Sequence, residues 1–367
     1  MARFICVDRT RCFVLVRRSS HKKAQKAQAT QTWLISLFVP LVFLVLFVAS
    51  GGNVRSQTVD QDDVVRVESE LTNLPFTVTD KQRRFVTTLR AEDLRVLEDG
   101  VPQTLFTFQQ ETDRPLSIAF LIDVSASQEE TLPQEKAAAR LFIENVVKSN
   151  RDQVAILPFT GSAYLEQNLT RDVLSVYRVL QGVEIAAPNY IGSGRPLSGI
   201  PTGPRLPATP PEGSTAIWDA VALTSNNVLT KSQGQRRRAI ILLTDGIDTT
   251  SRLSLKQAVN SALAAETVIY TIGIGNNKLE GVYRDPLRDI AERTGGRAFF
   301  PDKKFDLNAA FAEIERELRT QYLIAYSSTN KKRDGAYRNI TIEITNPDLL
   351  KSKLQLRHRP GYFARSQ

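Results

Sequence analysis

The stretch LSIAFLIDVSAS, residues 116–127, is an apolar run that ends in one acid and two serines. Such a continuous run is typical of a strand that is buried on both faces of a sheet. Three similar runs follow along the chain: QVAILPF (153–159), AIILLTD (239–245) and TVIYTIGIG (267–275). Helical segments lie between or after them, at 133–148, 215–229, 254–266, 285–294 and 306–320. This alternation predicts an α/β fold, a doubly wound and mostly parallel sheet with helices on both faces.

A β pattern lies on both sides of this α/β region. Between residues 64 and 112 the sequence predicts short strands, including FVTTL (85–89), and Asp99-Gly100 predicts a hairpin turn with positive φ at both positions. After Thr320 the pattern returns in QYLIAYSS, YRNITIEITN and LQLRHRPGYF. Neither segment alone offers many strands, so we predict that both pair into one β domain with the α/β domain inserted in it. Two independent small sheets are the alternative.

The pattern divides the chain into four parts. Residues 1–52 form a basic cytoplasmic tail with a signal peptide or membrane anchor, and 53–114 form the N-terminal β segment. Residues 115–303 form the α/β domain, and 304–367 form a connecting helix and the C-terminal β segment that is predicted to pair with 64–112.

The first fifty residues differ from the rest of the chain in charge. They contain eight basic residues and one acidic residue, whereas the whole chain has 48 basic and 39 acidic residues. The remainder therefore carries 40 basic against 38 acidic residues, a net charge of +2. A nearly neutral body argues against a nucleic-acid-binding protein, because that class needs a sustained cationic face to displace counterions from phosphates.

Cysteine and histidine are too few for several kinds of site. Both cysteines, Cys6 and Cys12, lie in the tail, and the only histidines are His21 and His358. The folded part can therefore contain no disulfide, thiolate metal site or cysteine nucleophile. Serine hydrolase triads and histidine-rich zinc sites are nearly excluded as well.

Residues 33–49, WLISLFVPLVFLVLFVA, form an uncharged run of seventeen residues after the basic stretch. At about 1.5 Å per residue the run just spans a hydrocarbon core, so it predicts either a short membrane anchor or the core of a long signal peptide. Whether the segment is cleaved stays open. Because basic residues favour the cytoplasmic side, we expect residues after about 52 to lie on the outer side of the cytoplasmic membrane, periplasmic or extracellular.

Oxygen-bearing side chains follow three of the predicted elements. Asp123, Ser125 and Ser127 come at and after the end of the first buried strand, Thr215 opens a helix, and Asp245 ends the strand AIILLTD. In an open parallel sheet these positions lie at or near the carboxyl edge, where ligands bind. Hard oxygen ligands select Mg²⁺, Mn²⁺ or Ca²⁺ rather than zinc, and so few protein charges leave coordination positions for water or an outside ligand. The five residues therefore predict one divalent-cation site.

The same residues resemble a known family. DxSxS, followed by a later Thr and by the Asp of TDG, resembles the metal-ion-dependent adhesion site of von Willebrand factor type A domains. GSTAIWDA is similar to the threonine loop and helix of that family, and IILLTDGID to its fourth strand. The likeness runs over about residues 115–300. In the β flanks, EDGVPQ and RPGYF resemble the bacterial group called VWFA-related acidobacterial-type proteins.

The resemblance implies a role for each of the five residues. Asp123, Ser125 and Ser127 would hold the metal directly or through water. Thr215 would bind or release the metal as the conformation of the domain changes. Asp245 would contact the metal through a water molecule. Mg²⁺ is the first expectation for the cation, with Mn²⁺ or Ca²⁺ as alternatives. An Asp or Glu of a protein partner would complete the coordination shell, and two carboxylates leave the ion electrophilic enough to attract it.

Four other patterns favour structural explanations. Asp219 is predicted to be a structural acid on a helix face. GIG (273–275) indicates a turn, because no third glycine follows at the position that a dinucleotide-binding motif requires. RRR (236–238) predicts a solvated loop rather than a phosphate patch. The Pro- and Gly-rich segment 187–213 predicts a long loop that could shape or cover the metal face.

The leading functional hypothesis is a non-enzymatic binding module that docks a protein partner through the cation. A metal-dependent hydrolase or phosphoryl-transfer enzyme is the second hypothesis. It is weakened because aspartyl-phosphate enzymes require a second carboxylate two residues after the nucleophile, and Ser125 lies at that position here. A structural envelope protein with a stabilising cation is the third. Partner capture with and without EDTA, together with turnover of phosphoesters, distinguishes the three.

Overall fold

The computed structural model describes residues 71–110, 114–148, 150–186, 195–196, 214–233, 236–275, 281–301 and 304–366. The strands in the first half are β1 (Leu71–Thr79), β2 (Leu94–Glu98), β3 (Val101–Gln103), β4 (Leu105–Gln110), β5 (Leu116–Asp123), β6 (Gln153–Phe159), β7 (Tyr164–Leu165) and β8 (Gln167–Thr170). Those that follow are β9 (Arg195–Pro196), β10 (Arg237–Thr244), β11 (Thr267–Gly273), β12 (Ala298–Phe299), β13 (Tyr322–Ser327), β14 (Tyr337–Ile344), β15 (Gln355–His358) and β16 (Gly361–Phe363). The helices are α1 (Leu132–Val146), α2 (Val173–Gly182), α3 (Ile217–Asn227), α4 (Leu255–Ala264), α5 (Arg284–Thr294), α6 (Lys304–Arg319) and α7 (Pro347–Lys351).

A six-stranded sheet lies at the centre of the α/β region. Its strand order is β12-β11-β10-β5-β6-β8, and every neighbouring pair is parallel except β6 and β8, which are antiparallel. Every residue of β5 is buried, as the continuous apolar run predicts for a strand covered on both faces. The predicted fold class, an α/β fold with a mostly parallel sheet, is confirmed.

Helices cover both faces of this sheet. On one face α1, α2 and α6 pack together, and the ring of Phe120 in β5 lies 5.8 Å from that of Phe142 and 6.4 Å from that of Phe311. On the other face α3, α4 and α5 bury Val221, Ala258 and similar side chains against the sheet. Burial of apolar surface on both faces holds the strands rigidly, so the loops at the carboxyl edge start from fixed points.

Two further four-stranded sheets combine strands from before and after the α/β region. Their orders are β15-β1-β13-β4 and β16-β14-β2-β3, so β1 lies between two C-terminal strands and β14 pairs with β2. Both sheets share one apolar core, in which the rings of Phe76 and Tyr322 stack at 5.2 Å. Residues Glu68–Gln367 form one compact unit. The predicted part boundaries at 52, 114 and 303 stay predictions.

Two local expectations can be compared directly with the β region. The hairpin turn is confirmed, because Asp99 and Gly100 have φ values of 48° and 82° between β2 and β3. The predicted strand FVTTL is wrong. Only Phe85 of that stretch forms an isolated bridge, with Thr79, and the Leu89 amide donates to the Tyr322 hydroxyl at 3.1 Å instead of to a strand.

The arginine triplet 236–238 is not a solvated loop. Arg237 and Arg238 are the first residues of β10, and all three guanidinium groups donate to backbone carbonyls of neighbouring elements. Arg236 reaches Leu116 O at 3.0 Å, and Arg238 reaches Ala265 O at 2.9 Å. The triplet therefore fastens the amino end of the central sheet, the end opposite to the predicted cation site.

The predicted membrane segment, residues 33–49, lies outside the described residues, as does most of the predicted loop 187–213. Of that loop only Arg195–Pro196 is described, and it pairs as β9 with β7. In the described ranges, no helix combines the length and the apolar character that a bilayer crossing requires.

Candidate metal centre

The ends of two neighbouring parallel strands place the candidate site. β5 ends at Asp123 and β10 ends at Thr244, and their register pairs Ile122 with Leu243 one position earlier. The loops that leave the two strands therefore start side by side at the carboxyl edge of the sheet. This is the edge where open α/β sheets bind ligands.

Asp123 is a fully buried carboxylate at this edge, with 0% of its surface exposed. Its Oδ1 accepts a hydrogen bond from the Ser125 amide at 3.0 Å, and its Oδ2 accepts one from the Thr244 hydroxyl at 2.6 Å. Burial raises the pKa of Asp123 to about 6; the hydrogen bonds from Thr244 and Ser125 oppose this effect, and the charge of Asp245 adds to it. The carboxylate is thus held in one orientation at an electrostatic cost that a bound cation would relieve.

Ser125, Ser127 and Asp245 form a continuous chain of contacts beside Asp123. The two serine hydroxyls lie 3.0 Å apart, and Ser127 donates to Asp245 Oδ2 at 2.6 Å. Gln128 donates to the same oxygen at 3.1 Å, while Asp245 Oδ1 accepts from the Ile247 amide at 3.0 Å. The structure therefore brings four of the five predicted ligands together, although they lie up to 122 positions apart in the sequence.

Thr215, the fifth predicted ligand, lies in the segment before α3 and is 4% exposed. Its amide donates to the Thr249 hydroxyl at 2.8 Å, and its carbonyl accepts from the amides of Thr249 and Thr250. In the described residues, no hydrogen bond joins its hydroxyl to the other four ligands. Thr215 is therefore fastened to the loop that carries Asp245, and its place in the ligand sphere stays a prediction.

Two carboxylates lock the loops around the site. Asp248 accepts from the Ile217 amide at 2.7 Å and from the Ser251 hydroxyl, and so ties the start of α3 to the loop after β10. Asp219 accepts from the amides of Arg252 and Leu253, which confirms it as a structural acid. These contacts fasten the loop after Asp245 to the start of α3.

The donor set fits a hard divalent cation. In the described part of the chain, no salt bridge joins Asp123 or Asp245 to a basic side chain, so their negative charge is not neutralised by an ion pair. No group of three or more His, Cys, Asp or Glu side chains is arranged as a metal site in these ranges. The donors are therefore two carboxylates and hydroxyls, which suits Mg²⁺ or Mn²⁺ rather than a soft metal.

Sequence reasoning missed three residues around this site. Thr244 and Gln128 hydrogen-bond to the two carboxylates, and Glu135 is 1% exposed and is affected by the charges of both. Thr244 is the Thr of TDG, and Gln128 directly follows DxSxS. Their position next to the motif residues is the signal that could have identified them. Glu135 lies on the buried stripe of α1 together with Ala139, and an acid in an apolar stripe was the signal for it.

An apolar groove runs beside the cluster. It measures about 530 Å³ and is lined by Trp218, Leu255, Val282, Tyr283 and Pro286 next to Gly246 and Asp248. The Tyr283 amide donates to Asp245 O at 2.7 Å, so the groove begins at the residue that follows β10. Tyr283 is 61% exposed, which leaves its ring available for contact with another molecule.

Two family models describe this part of the chain. Both are models of the von Willebrand factor type A domain, and they match residues 118–247 and residues 206–314. The first range contains all five predicted ligands, and the two ranges together run from residue 118, within β5, to residue 314. No curated protein matches the chain.

Solved structures of similar shape include three of different origin. Proximal thread matrix protein 1 from the mussel byssus, with a zinc-occupied MIDAS motif, is 18% identical, with a TM-score of 0.45 over 59% of this chain and 49% of that protein. BatB from Bacteroides thetaiotaomicron is 18% identical, with a TM-score of 0.40 over 56% and 100%. A von Willebrand factor type A protein from Catenulispora acidiphila is 12% identical, with a TM-score of 0.45 over 82% and 75%. The chain spans about half the length of the mussel protein.

Proposed function

This chain contains a von Willebrand factor type A domain, and we propose that the domain is a non-enzymatic module that captures a protein partner through a divalent cation. The cation is held by Asp123, Ser125, Ser127, Thr215 and Asp245. Mg²⁺ is the first candidate, with Mn²⁺ or Ca²⁺ as alternatives. The partner supplies an Asp or Glu carboxylate that completes the coordination shell.

One observation carries this proposal: the unbroken series of contacts from Asp123 through Ser125 and Ser127 to Asp245 at the carboxyl edge of the sheet. The four side chains offer only oxygen atoms as metal ligands, and the two carboxylates balance the charge of one divalent ion. The four side chains alone do not fill an octahedral shell, so an outside oxygen has a place. A carboxylate is the anionic group that this electrophilic position favours.

The groove beside Asp245 supports the choice of a protein partner. Its lining combines the exposed Tyr283 with Trp218 and Pro286, and such aromatic surfaces carry much of the binding energy of protein interfaces. A partner segment with one acidic residue next to an apolar one would fill both features. The carboxylate gives direction, and the apolar contact adds affinity.

We further propose that the module acts outside the cytoplasm. The support is the basic tail followed by the uncharged run 33–49, whether that run is retained as an anchor or removed as a signal. Fusion of an enzyme that is active only in the periplasm to a site after residue 52 tests this proposal. Activity of the fusion is expected, and activity of a matched cytoplasmic reporter in its place would contradict it.

Calorimetric titration of the EDTA-treated full chain with Mg²⁺ tests the cation site. We expect one binding site per chain, and Asp123→Asn should weaken its affinity by roughly 10- to 100-fold or more, because one of two ligand charges is lost. Asp285→Asn is the matched control, since Asp285 is an exposed acid paired with Arg288. Equal affinity in all three proteins would refute the assignment.

Partner capture from envelope extract then separates binding from mere stabilisation. Immobilised chain should retain its partner in Mg²⁺ and release it in EDTA, and Asp123→Asn should retain none. Capture that is identical in Mg²⁺, in EDTA and with the variant would mean that the cation has no part in docking. Far-ultraviolet circular dichroism of the variant checks that the fold is unchanged.

A further inference from the structure

Glu135 is a buried acid that the five predicted ligands leave unexplained. It lies in the first turn of α1, is 1% exposed, and faces the same interior as Ala138, Ala139 and Phe142. Neither of its carboxyl oxygens has a hydrogen-bond partner in the described part of the chain. A buried carboxyl without a partner is costly and rare in folded proteins, so its presence calls for a physical reason.

The cation site lies next to this carboxyl. The negative charges of both Asp123 and Asp245 act on Glu135. A hydrogen-bond relay also links the start of α1 to the site, because the Thr131 hydroxyl donates to Gln128 Oε1 at 3.1 Å and Gln128 donates to Asp245 at 3.1 Å. The Glu135 amide donates to Thr131 O at 3.1 Å, so this carboxyl lies one helical turn from the relay.

The environment of Glu135 keeps its proton in place at neutral pH. Burial raises the pKa of Glu135 to about 8; the nearby Thr131 hydroxyl opposes this rise, and the charges of Asp123 and Asp245 add to it. No hydrogen bond joins Glu135 to any of the five ligands in the described residues. It can therefore change its charge without breaking a contact to the cation's own ligands.

Basic groups on the neighbouring elements are directed elsewhere. Lys136, the next residue of α1, donates to the carbonyls of Gln181 and Val183 at the end of α2. From α6, Arg319 reaches the opposite end of α1 at Asn145 O, at 2.6 Å.

Arg140, farther along α1, pairs with Glu144. In the described chain the charges that face Glu135 are thus the two carboxylates of the site, Asp123 on β5 and Asp245 after β10. A divalent cation bound between those carboxylates would reverse the local field.

We propose, on the basis of the cation site put forward above, that Glu135 is a third carboxyl of that site: it is neutral when no cation is bound and becomes charged when one binds, so that cation uptake expels one proton to solvent. The step balances, since a carboxylic acid becomes a carboxylate and a proton while the site gains two positive charges. Glu135 acts on the cation through its charge and is not one of the ligands. Cation affinity consequently rises with pH until Glu135 is already ionised in the cation-free chain.

Counting protons during Mg²⁺ titration tests this inference. The full chain, freed of metal with EDTA and exchanged into chelator-free solution at pH 7, is titrated in two buffers with different ionisation enthalpies. With the pKa of Glu135 at about 8, about 0.9 proton should leave Glu135 per cation bound.

Glu135→Gln should abolish most of this proton release, and it should also remove most of the pH dependence of affinity between pH 6 and 8. Glu130→Gln is the matched control, because Glu130 is exposed, lies five positions earlier and undergoes the same change of charge. This control should release as many protons as the unaltered chain. Equal proton release by Glu135→Gln and the unaltered chain would overturn the inference while leaving the cation site intact.

A second measurement needs no variant. The infrared absorption band of a protonated carboxyl should be present in the metal-free chain at pH 7 and should disappear when Mg²⁺ is added. Binding of Mg²⁺ without loss of this band would refute the role of Glu135 even if Glu135→Gln fails to fold. Failure of the unaltered chain to bind Mg²⁺ would instead remove the cation site itself, and the two failures are therefore distinguishable.

Discussion

Glu135→Gln should make the stability of the cation-free chain less sensitive to rising pH. The ordinary pKa of a glutamate, 4.5, applies in the unfolded chain, and burial raises the pKa of Glu135 to about 8 in the folded chain. Between these values the folded state holds the proton that the unfolded state has lost. Stability from this group is therefore fully present below about pH 4.5 and is lost as pH rises toward 8.

The size of this effect follows from the two pKa values. Between pH 5 and pH 7 the free energy of unfolding of the unaltered chain should fall by about 2 to 3 kcal/mol through Glu135 alone. The contribution of Asp123 to stability falls in the same direction, because its pKa is also raised, and it is present in both proteins. The difference between the two pH slopes thus reports mainly on Glu135.

Urea unfolding in EDTA at pH 5 and pH 7 provides the measurement. Between pH 5 and pH 7 the free energy of unfolding should fall less in Glu135→Gln than in the unaltered chain. The difference between the two falls should be about 2 to 3 kcal/mol. Glu130→Gln, an exposed acid changed in the same way, should behave like the unaltered chain. If Glu135→Gln and the unaltered chain lose equal stability, Glu135 is already ionised in the folded state and the reasoning fails.

Two other substitutions test the frame around the site. Gly246→Ala should destabilise the chain by about 1 kcal/mol or more and weaken Mg²⁺ binding. The reason is that φ is +88° at this position and the new Cβ would lie 2.6 Å from Tyr283 O. Unchanged unfolding and Mg²⁺ titration curves would contradict this prediction. Truncation after Thr320 removes both strand neighbours of β1, so residues 71–110 should become sensitive to limited proteolysis. Undiminished protection of 71–110 would show that this segment does not depend on the C-terminal strands.

The fold class could be predicted from sequence because strands that are covered by helices on both faces of a sheet have a simple sequence pattern. A run such as AIILLTD has no polar alternation, and helical segments separate the runs, so sheet and helices follow from composition and order. FVTTL shows the limit of that reasoning. Its pattern suits a strand, but the backbone of Leu89 pairs with a tyrosine hydroxyl from a distant part of the chain.

The arginine triplet at 236–238 misleads for a related reason. Three adjacent charges suggest solvent, yet their guanidinium groups satisfy buried carbonyls that only the assembled sheet brings near. Local sequence contains no information about those partners.

Some residues of the candidate site could be predicted from sequence, and others could not. Asp123, Ser125, Ser127 and Asp245 belong to compact motifs at strand ends, so their convergence follows from the topology of a parallel sheet. Glu135 belongs to no motif. Its proximity to the site arises from the packing of α1 against the sheet, and only its position on the helix's apolar stripe marks it in the sequence.

An anomalous difference map from crystals of the full chain grown with Mn²⁺ tests the central claim most directly. The account predicts one strong peak among the oxygens of Asp123, Ser125, Ser127 and Asp245, within roughly 2.0–2.6 Å of those that bind it directly, with Thr215 turned toward it. Mn²⁺ bound elsewhere with none between these side chains, or no Mn²⁺ at all at saturating concentration, would contradict the claim that these donors form a cation site.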